Sequence, residues 1–214
     1  MNTLPHWWQN GVIYQIYPKG FQDTTGSGTG DLRGVTKRLD YLKILGIDAI
    51  WLTPFYISPQ VDNGYDVANY TAIDPAYGTL DDFDELVARA HERGIRIVLD
   101  MVFNHTSMQH AWFRESLNKA SPYRQFYIWR DGTPEQLPNN WRSKFGGNAW
   151  RWHAESEQYY LHLFAPEQAD LNWENPEVRA ELKKVCEFWA DRGVDGLRLD
   201  VINLISKDQD FPDD

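Results

Sequence analysis

The order in which apolar periodicities change along this chain is the feature that most narrows its fold. Residues 11–17 (GVIYQIY) form a β-rich run after a glycine; Val35, Leu39 and Leu42 then recur at helical spacing until Gly46 stops the pattern. Residues 48–53 (DAIWLT) read as a short buried strand. Thr79, with Asp82 three positions on, makes an approximate capping box for a helix whose apolar face is Phe83, Leu86, Val87 and Ala90 and which ends at Gly94. Residues 95–102 (IRIVLDMV) are almost continuously apolar, as a strand buried on both faces is. From Asn104 to about Trp173 the chain is rich in Trp, Tyr, Pro and Asn, with only short periodic pieces such as YYLHLF. That stretch is far too long for an ordinary strand-to-helix connection and reads as an inserted small domain. Regularity returns with Asn175 as cap and Pro176 in the first turn, then Val178, Leu182, Val185, Cys186 and Trp189 on one face, then Gly193 and a fourth strand.

Strand, helix, strand, helix, strand, insertion, helix, strand means parallel βα units. Two folds use them, the closed eight-stranded barrel and the open doubly wound sheet. The open sheet that binds dinucleotides wants a GxGxxG turn opening a helix directly after the first strand. GSGTGDLRG sits instead in a long loop. The expected fold is therefore α/β, a TIM (β/α)8 barrel of which the first four strands are present, with a small inserted domain after the third. The expected boundaries are 1–103 for the first part of the barrel, 104–173 for the insertion and 174–214 for the barrel continued.

Residues 193–203 (GVDGLRLDVIN) carry the chemistry. Side chains alternate along a strand, so Arg198 and Asp200 share one face while Leu197 and Leu199 point to the other. Parallel barrels place charged groups inward at the C-terminal strand ends, where they do their chemistry. A neighbouring guanidinium favours the ionised form of Asp200, which suits a nucleophile. A structural Arg–Asp pair at a strand end is the alternative. Asp62 and Tyr65 after the second strand, and Asn104 and His105 after the third, reach the same mouth in such a barrel.

The remaining composition excludes several partners. With 21 Lys and Arg against 31 Asp and Glu, the formal net charge is −10, so no broad basic surface exists to neutralise a nucleic-acid backbone. The N-terminus lacks a basic segment followed by a long apolar run, and no window reaches the roughly 20 apolar residues of a membrane span. A cytoplasmic protein is expected. The single cysteine, Cys186, excludes an internal disulfide and a thiolate metal cluster, and its place on an apolar stripe points to core packing. The 10 Trp, 11 Tyr and 10 Phe, many beside Asn, Asp, Gln and His, suit a ligand with apolar C–H faces and a rim of hydroxyls, a sugar. In the polar loop 21–34, Asp23, Thr25, Ser27 and Asp31 are spaced like calcium ligands. Only two are carboxylates and no bidentate Glu follows, which favours a metal-free turn.

DMVFNHTS (100–107), QADLNWENP (168–176) and GLRLDVIN (196–203), in this order and spacing, resemble the signature regions of the α-amylase family of glycoside hydrolases. The resemblance runs from YQIYPKGFQD through DNGYDV to the end of the chain and is closest to the α-glucosidase and oligo-1,6-glucosidase branch. Within that branch the opening residues and the segment NNWRSKFGGNAWRWHAESEQYY look like members acting on a phosphorylated, α,α-1,1-linked disaccharide. The resemblance implies that Asp200 is the nucleophile of a retaining mechanism with Arg198 holding it ionised. It implies that Asp62, Tyr65 and His105 bind the transferred glucose, that Phe145 and Phe164 wall that pocket, and that Gln168 lies where the leaving group is contacted. Val201 after the nucleophile resembles the branch that handles linkages other than α-1,4.

There are two departures from the family pattern. The calcium loop usually has Asp, Asn, Asp and Asp where this chain has Asp23, Thr25, Ser27 and Asp31, so no cofactor is required and calcium there is the alternative. The general acid, a Glu after the fifth strand, and a later His–Asp pair have no counterpart before Asp214, and the 214 residues alone are expected to be inactive. Arg142 and Lys144 stand where related α-glucosidases tend to carry small or neutral residues. They are candidates for binding the substrate phosphate, solvated surface charge being the other account. Two alternatives stay open: an oligo-1,6-glucosidase indifferent to phosphate, and a non-catalytic amylase-like accessory or binding protein.

Overall fold

A computed structural model describes residues 6–214. In chain order the strands are β1 (Ile13–Ile16), β2 (Ala49–Leu52), β3 (Tyr56–Ile57), β4 (Asn69–Ile73), β5 (Arg96–Val102), β6 (His105–Ser107), β7 (Trp129–Asp131), β8 (Trp150–His153), β9 (Gln158–Leu161), β10 (Gln168–Asp170) and β11 (Gly196–Asp200). The helices are α1 (Trp7–Asn10), α2 (Pro18–Phe21), α3 (Leu32–Lys37), α4 (Leu39–Leu45), α5 (Leu80–Glu92), α6 (Ala111–Ser116) and α7 (Pro176–Ala190). The described residues separate into two compact units, one of residues 6–57, 71–101 and 186–198 and one of residues 58–70, 102–185 and 199–214.

The first unit is built on a sheet of order β1-β2-β5-β11, with β1 parallel to β2 and β2 parallel to β5. Sequential order with helices between the strands is what βα winding produces. Its local signals act as the sequence suggests. Thr79 and Asp82 form a reciprocal capping box at α5, and Phe83, Leu86, Val87 and Ala90 are buried on its inner face. The helical stripe of Val35, Leu39 and Leu42 is also fully buried, but it spans two helices. The backbone leaves helical geometry at Arg38, and Gly46 closes α4 at φ +84°. Phe55, Phe83 and Trp189 centre the core, their rings 4.9–5.7 Å apart. On β11, Gly196, Arg198 and Asp200 are half-buried and Leu197 and Leu199 exposed, the alternation that period two dictates.

The second unit has little helix. β7, β9 and β8 form an antiparallel sheet over a small core of Ile128, Trp150, Tyr159, Leu161 and Phe211, and the YYLHLF segment supplies its central strand. β6 pairs antiparallel with β10 in a register that sets His105 opposite Asp170 and Ser107 opposite Gln168. In α7, Asn175 caps the first turn by accepting from the Glu177 N–H, and Val178, Leu182, Val185 and Trp189 are buried. Cys186, expected in the core, is only half-buried because it sits at the edge of that stripe; this partial burial pushes its thiol pKa up. No helix among the described residues is long and apolar enough to cross a membrane.

Candidate active site

Asp62, Tyr65, His105, Phe145, Phe164, Gln168 and Asp200 belong to the second unit, and Arg198 to the first; the second unit's part begins with a loop held by one buried carboxylate. Asp66 accepts from the Ser58 hydroxyl at 2.9 Å and from the backbone N–H groups of Val61 and Asp62 at 2.9 and 3.0 Å. The chain turns there through positive φ at Asn63 and Gly64, and the Tyr65 N–H closes the turn on the Asp62 carbonyl at 2.9 Å. Asp62 and Tyr65 are thus fixed by backbone geometry. The Asp62 carboxylate then accepts from Gln168 Nε2 at 2.9 Å. Burial pushes the Asp62 carboxyl pKa up, which Gln168 and the His105 ring oppose and the charges of Asp66 and Asp200 reinforce.

His105 opens β6 and is 1% exposed. Its Nε2 stands 3.2 Å from the Tyr65 carbonyl and 3.1 Å from Gln168 Nε2, and its Nδ1 is 3.1 Å from Asn104 Nδ2. Burial holds the imidazole pKa below its ordinary value although Asp170, Asp200 and Asp62 pull the other way. Gln168, fully buried, is oriented by accepting from the Ala165 N–H at 3.0 Å through Oε1. Phe164 packs on the His105 ring at 5.1 Å and Phe145 meets Phe164 edge-on at 5.5 Å, itself 61% exposed. A small polar pocket with an aromatic flank results, suited to hydroxyls along one side of a ring and C–H groups along the other.

Asp200 ends β11, and its charge acts on both Asp62 and His105. Directly after it Val201 adopts φ +40°, a left-handed conformation that a β-branched residue rarely takes. Two residues before it, Arg198 Nη1 lies 3.0 and 3.1 Å from the carboxylate oxygens of Asp100, with its guanidinium over the Trp51 ring at 4.7 Å. Asp100 is fully buried and also accepts from Trp51 Nε1 at 3.1 Å, so Arg198 is anchored by a paired buried charge.

Arg142 and Lys144 are exposed and line an open cavity of about 220 Å³ together with Trp141, Ser206, Lys207 and Asp208. Asp23, Thr25, Ser27 and Asp31 belong to the first unit. Asp23 accepts from the backbone N–H groups of Thr25, Gly26 and Gly28 at 2.7–2.9 Å, and these bonds, that of Thr25 foremost, hold its carboxyl pKa down at about 2. Asp31 caps α3 through the Gly34 N–H at 2.7 Å and accepts from Thr24. Both carboxylates accept from local donors, and the other two side chains are neutral hydroxyls. Among the described residues, no three or more His, Cys, Asp or Glu side chains are arranged to hold a metal.

A model of the α-amylase catalytic domain matches residues 15–214. The chain belongs to this family, whose fold is of the TIM-barrel kind. It is 87% identical over 214 residues to trehalose-6-phosphate hydrolase of Escherichia coli (strain K12), a match over 100% of this chain and 39% of that protein. It is 56% identical over 212 residues to an oligo-1,6-glucosidase of Heyndrickxia coagulans, over 98% of this chain and 38% of the relative. Among solved structures, Bacillus licheniformis trehalose-6-phosphate hydrolase superposes with a TM-score of 0.95 at 58% identity, over 97% of this chain and 38% of that one. The isomaltulose synthase SmuA from Protaminobacter rubrum superposes at 0.96 with 50% identity, over 99% and 38%. The chain thus spans less than two fifths of the length of the relatives it matches.

Three further buried charged side chains carry little sequence signal. Asp100 lies inside an apolar strand, where its only signal is a charge at a position that should be buried. Asp170 and Lys207 are further cases. Asp170 is fully buried and Lys207 nearly so, with Lys207 Nζ 2.8 Å from Asp170 Oδ2. Lys207 sits in the polar stretch SKDQD, where nothing in composition or spacing tells a buried lysine from a solvated one.

Proposed function

We propose that these residues form the nucleophile side of a retaining glycoside hydrolase that cleaves trehalose 6-phosphate to glucose and glucose 6-phosphate. The observation that carries this is the meeting of Asp62, His105 and Gln168 within hydrogen-bond reach, with the charge of Asp200 acting on the first two, in a chain 87% identical to a trehalose-6-phosphate hydrolase. The Asp200 carboxylate attacks the anomeric carbon of the unphosphorylated ring. The C–O bond breaks, and the leaving oxygen takes its electron pair and a proton to give glucose 6-phosphate. Water then hydrolyses the glucosyl–Asp200 ester to glucose. Arg198, two residues before the nucleophile on the same strand, is held by the buried Asp100 carboxylate. Asp62, Tyr65 and His105 hold the glucosyl hydroxyls, Phe145 and Phe164 flank the ring, and Gln168 faces the leaving group. The proton must come from an acid other than Asp200, which the family resemblance assigns to a Glu after a fifth strand.

On this reading β1, β2, β5 and β11 are the first four strands of an eight-stranded barrel; residues 1–103 and 174–214 belong to that barrel and residues 104–173 are a module inserted into it. The antiparallel β7-β9-β8 sheet supports the module, over a core to which Phe211 also contributes. Arg142 and Lys144 are the cations we assign to the 6-phosphate, the fork and the point charge at one exposed cavity. A phosphorylated sugar does not cross a membrane unaided, so we place the reaction in the cytoplasm, with the small phosphorylated disaccharide as partner.

The test is glucose release from trehalose 6-phosphate beside trehalose and isomaltose, by the full protein and by the 214 residues alone. Strong preference for the phosphorylated sugar, lost in Arg142→Ala/Lys144→Ala through a rise in KM for that sugar alone, is the expected result. Equal KM changes for all three sugars would remove the phosphate assignment. Indifference to phosphate would favour the oligo-1,6-glucosidase activity of the 56%-identical relative. Turnover by the 214 residues alone would show that an acid lies within them.

A further inference from the structure

We propose that Lys207 is a positioning residue for His105: acting through Asn104, its buried ammonium sets the imidazole as the tautomer with its proton on Nε2, the nitrogen that faces the Tyr65 carbonyl and Gln168. The proposal rests on the sugar-binding role given to His105 above and adds what makes that ring a hydrogen-bond donor.

The chain of contacts is continuous and buried. Lys207 Nζ donates to Asn104 Oδ1 at 2.9 Å and pairs with Asp170 Oδ2 at 2.8 Å. Asn104 Nδ2 donates to Asp170 Oδ2 at 3.1 Å and meets His105 Nδ1 at 3.1 Å. Asp170 Oδ1 is held by the Leu163 N–H at 2.9 Å. Lys207, Asn104, His105 and Asp170 are all among the buried residues. An ammonium has no acceptor and a carboxylate no donor, so two opposite charges grip the two ends of the Asn104 amide. Turning that amide over would set its NH₂ against the ammonium and its oxygen against the carboxylate. With the amide so fixed, its second N–H points at His105 Nδ1, which must present a lone pair, and a neutral ring then carries its proton on Nε2.

That proton has only a modest acceptor. The Tyr65 carbonyl is 3.2 Å away, at the long end of the N–H···O range, and the Gln168 amide turns a donor rather than an acceptor toward it. A sugar hydroxyl oxygen entering beside Asp62 would accept it better. The same hydroxyl would give its own proton to the Asp62 carboxylate, so donor and acceptor are presented as a pair.

Nitrogen-15 NMR of the imidazole at neutral pH tests this without reference to turnover. The wild-type protein is expected to show His105 with a protonated Nε2 and a bare Nδ1; an imidazolium or an Nδ1–H ring would overturn the proposal. In Lys207→Met the donor to Asn104 Oδ1 is gone, so that restraint on the amide goes and the ring becomes a mixture of tautomers. Should that variant fail to fold, Asn104→Leu keeps the Lys207–Asp170 pair and removes only the donor to Nδ1, with the same mixing expected. Persistence of a pure Nε2–H ring in a folded variant would overturn the proposal. With trehalose 6-phosphate, kcat/KM should fall about 10- to 100-fold in either variant, mainly through KM, as for loss of a bond made in ground and transition states alike. The expected tautomers in a full protein inert toward that sugar would sink the function and leave the positioning role. A wrong tautomer with turnover intact would do the reverse.

Discussion

The two compact units are stabilised by different chemistry. Of the buried polar and charged side chains among the described residues, four (Asp31, Thr53, Asp82 and Asp100) belong to the first unit and sixteen to the second. The first unit rests on parallel ladders, helix caps and an apolar core, which are local and periodic. The second gets its shape from side chains that satisfy one another across long sequence separations: Asp66 under its loop, Asn104 between Lys207 and Asp170, Gln168 on Asp62. A buried polar network is costly unless every member is satisfied, and once satisfied it admits few other arrangements. The unit with the more irregular backbone therefore carries the more closely specified site.

The largest effect expected from this contrast is in the apolar unit. Phe83 is fully buried between Phe55 and Trp189, and Phe83→Ala should cost about 3–5 kcal/mol in equilibrium urea unfolding. A loss below about 1 kcal/mol would break the comparison, since the first unit would not then depend on its core.

Acid should be felt chiefly in the polar unit. His110 is buried, accepts from the Trp112 N–H at the start of α6, and has its pKa lowered by burial from 6.5 to about 4. His105 and His162 are shifted in the same direction, chiefly by burial. Between the two values an unfolded histidine binds a proton that the folded one does not. Stability is therefore fully present above about pH 6.5 and falls as pH is lowered toward 4, by about 3 kcal/mol for His110 alone. Urea unfolding at pH 7 and pH 5 should differ by about 2 kcal/mol from this group. His110→Asn, which keeps a capping acceptor without the titration, should flatten the slope; an unchanged slope would assign the acid sensitivity elsewhere.

The smallest effect on stability, and the sharpest on function, is expected at Val201. Relief of its left-handed strain and loss of its side chain should nearly cancel in Val201→Gly, leaving stability within about 1 kcal/mol. If Asp200 is the nucleophile proposed above and the left-handed turn after it sets its carboxylate, kcat should fall more than KM changes. A destabilisation as large as that of Phe83→Ala, with kcat intact, would make Val201 ordinary packing.

Sequence alone determined the βα order, the α5 capping box, the α7 cap and stripe, the alternation along β11, and the candidate set of Asp62, His105, Gln168 and Asp200. Each of these depends on neighbours within a few positions, or on short motifs whose residues are adjacent. Tertiary structure decided what those residues do to one another. The stripe through Val35 and Leu42 looks like one helix, and only the packed backbone breaks it at Arg38. Arg198 reads as the partner of Asp200, and only the sheet brings Asp100, 98 residues earlier, against its guanidinium. Nothing in the sequence marks Lys207 as buried, and only the fold buries it against the side-chain amide oxygen of Asn104, 103 residues earlier. Periodicity records which face of an element is covered. It cannot record which charged group will meet another there, because that pairing is set by long-range register and by the high cost of leaving a buried charge alone.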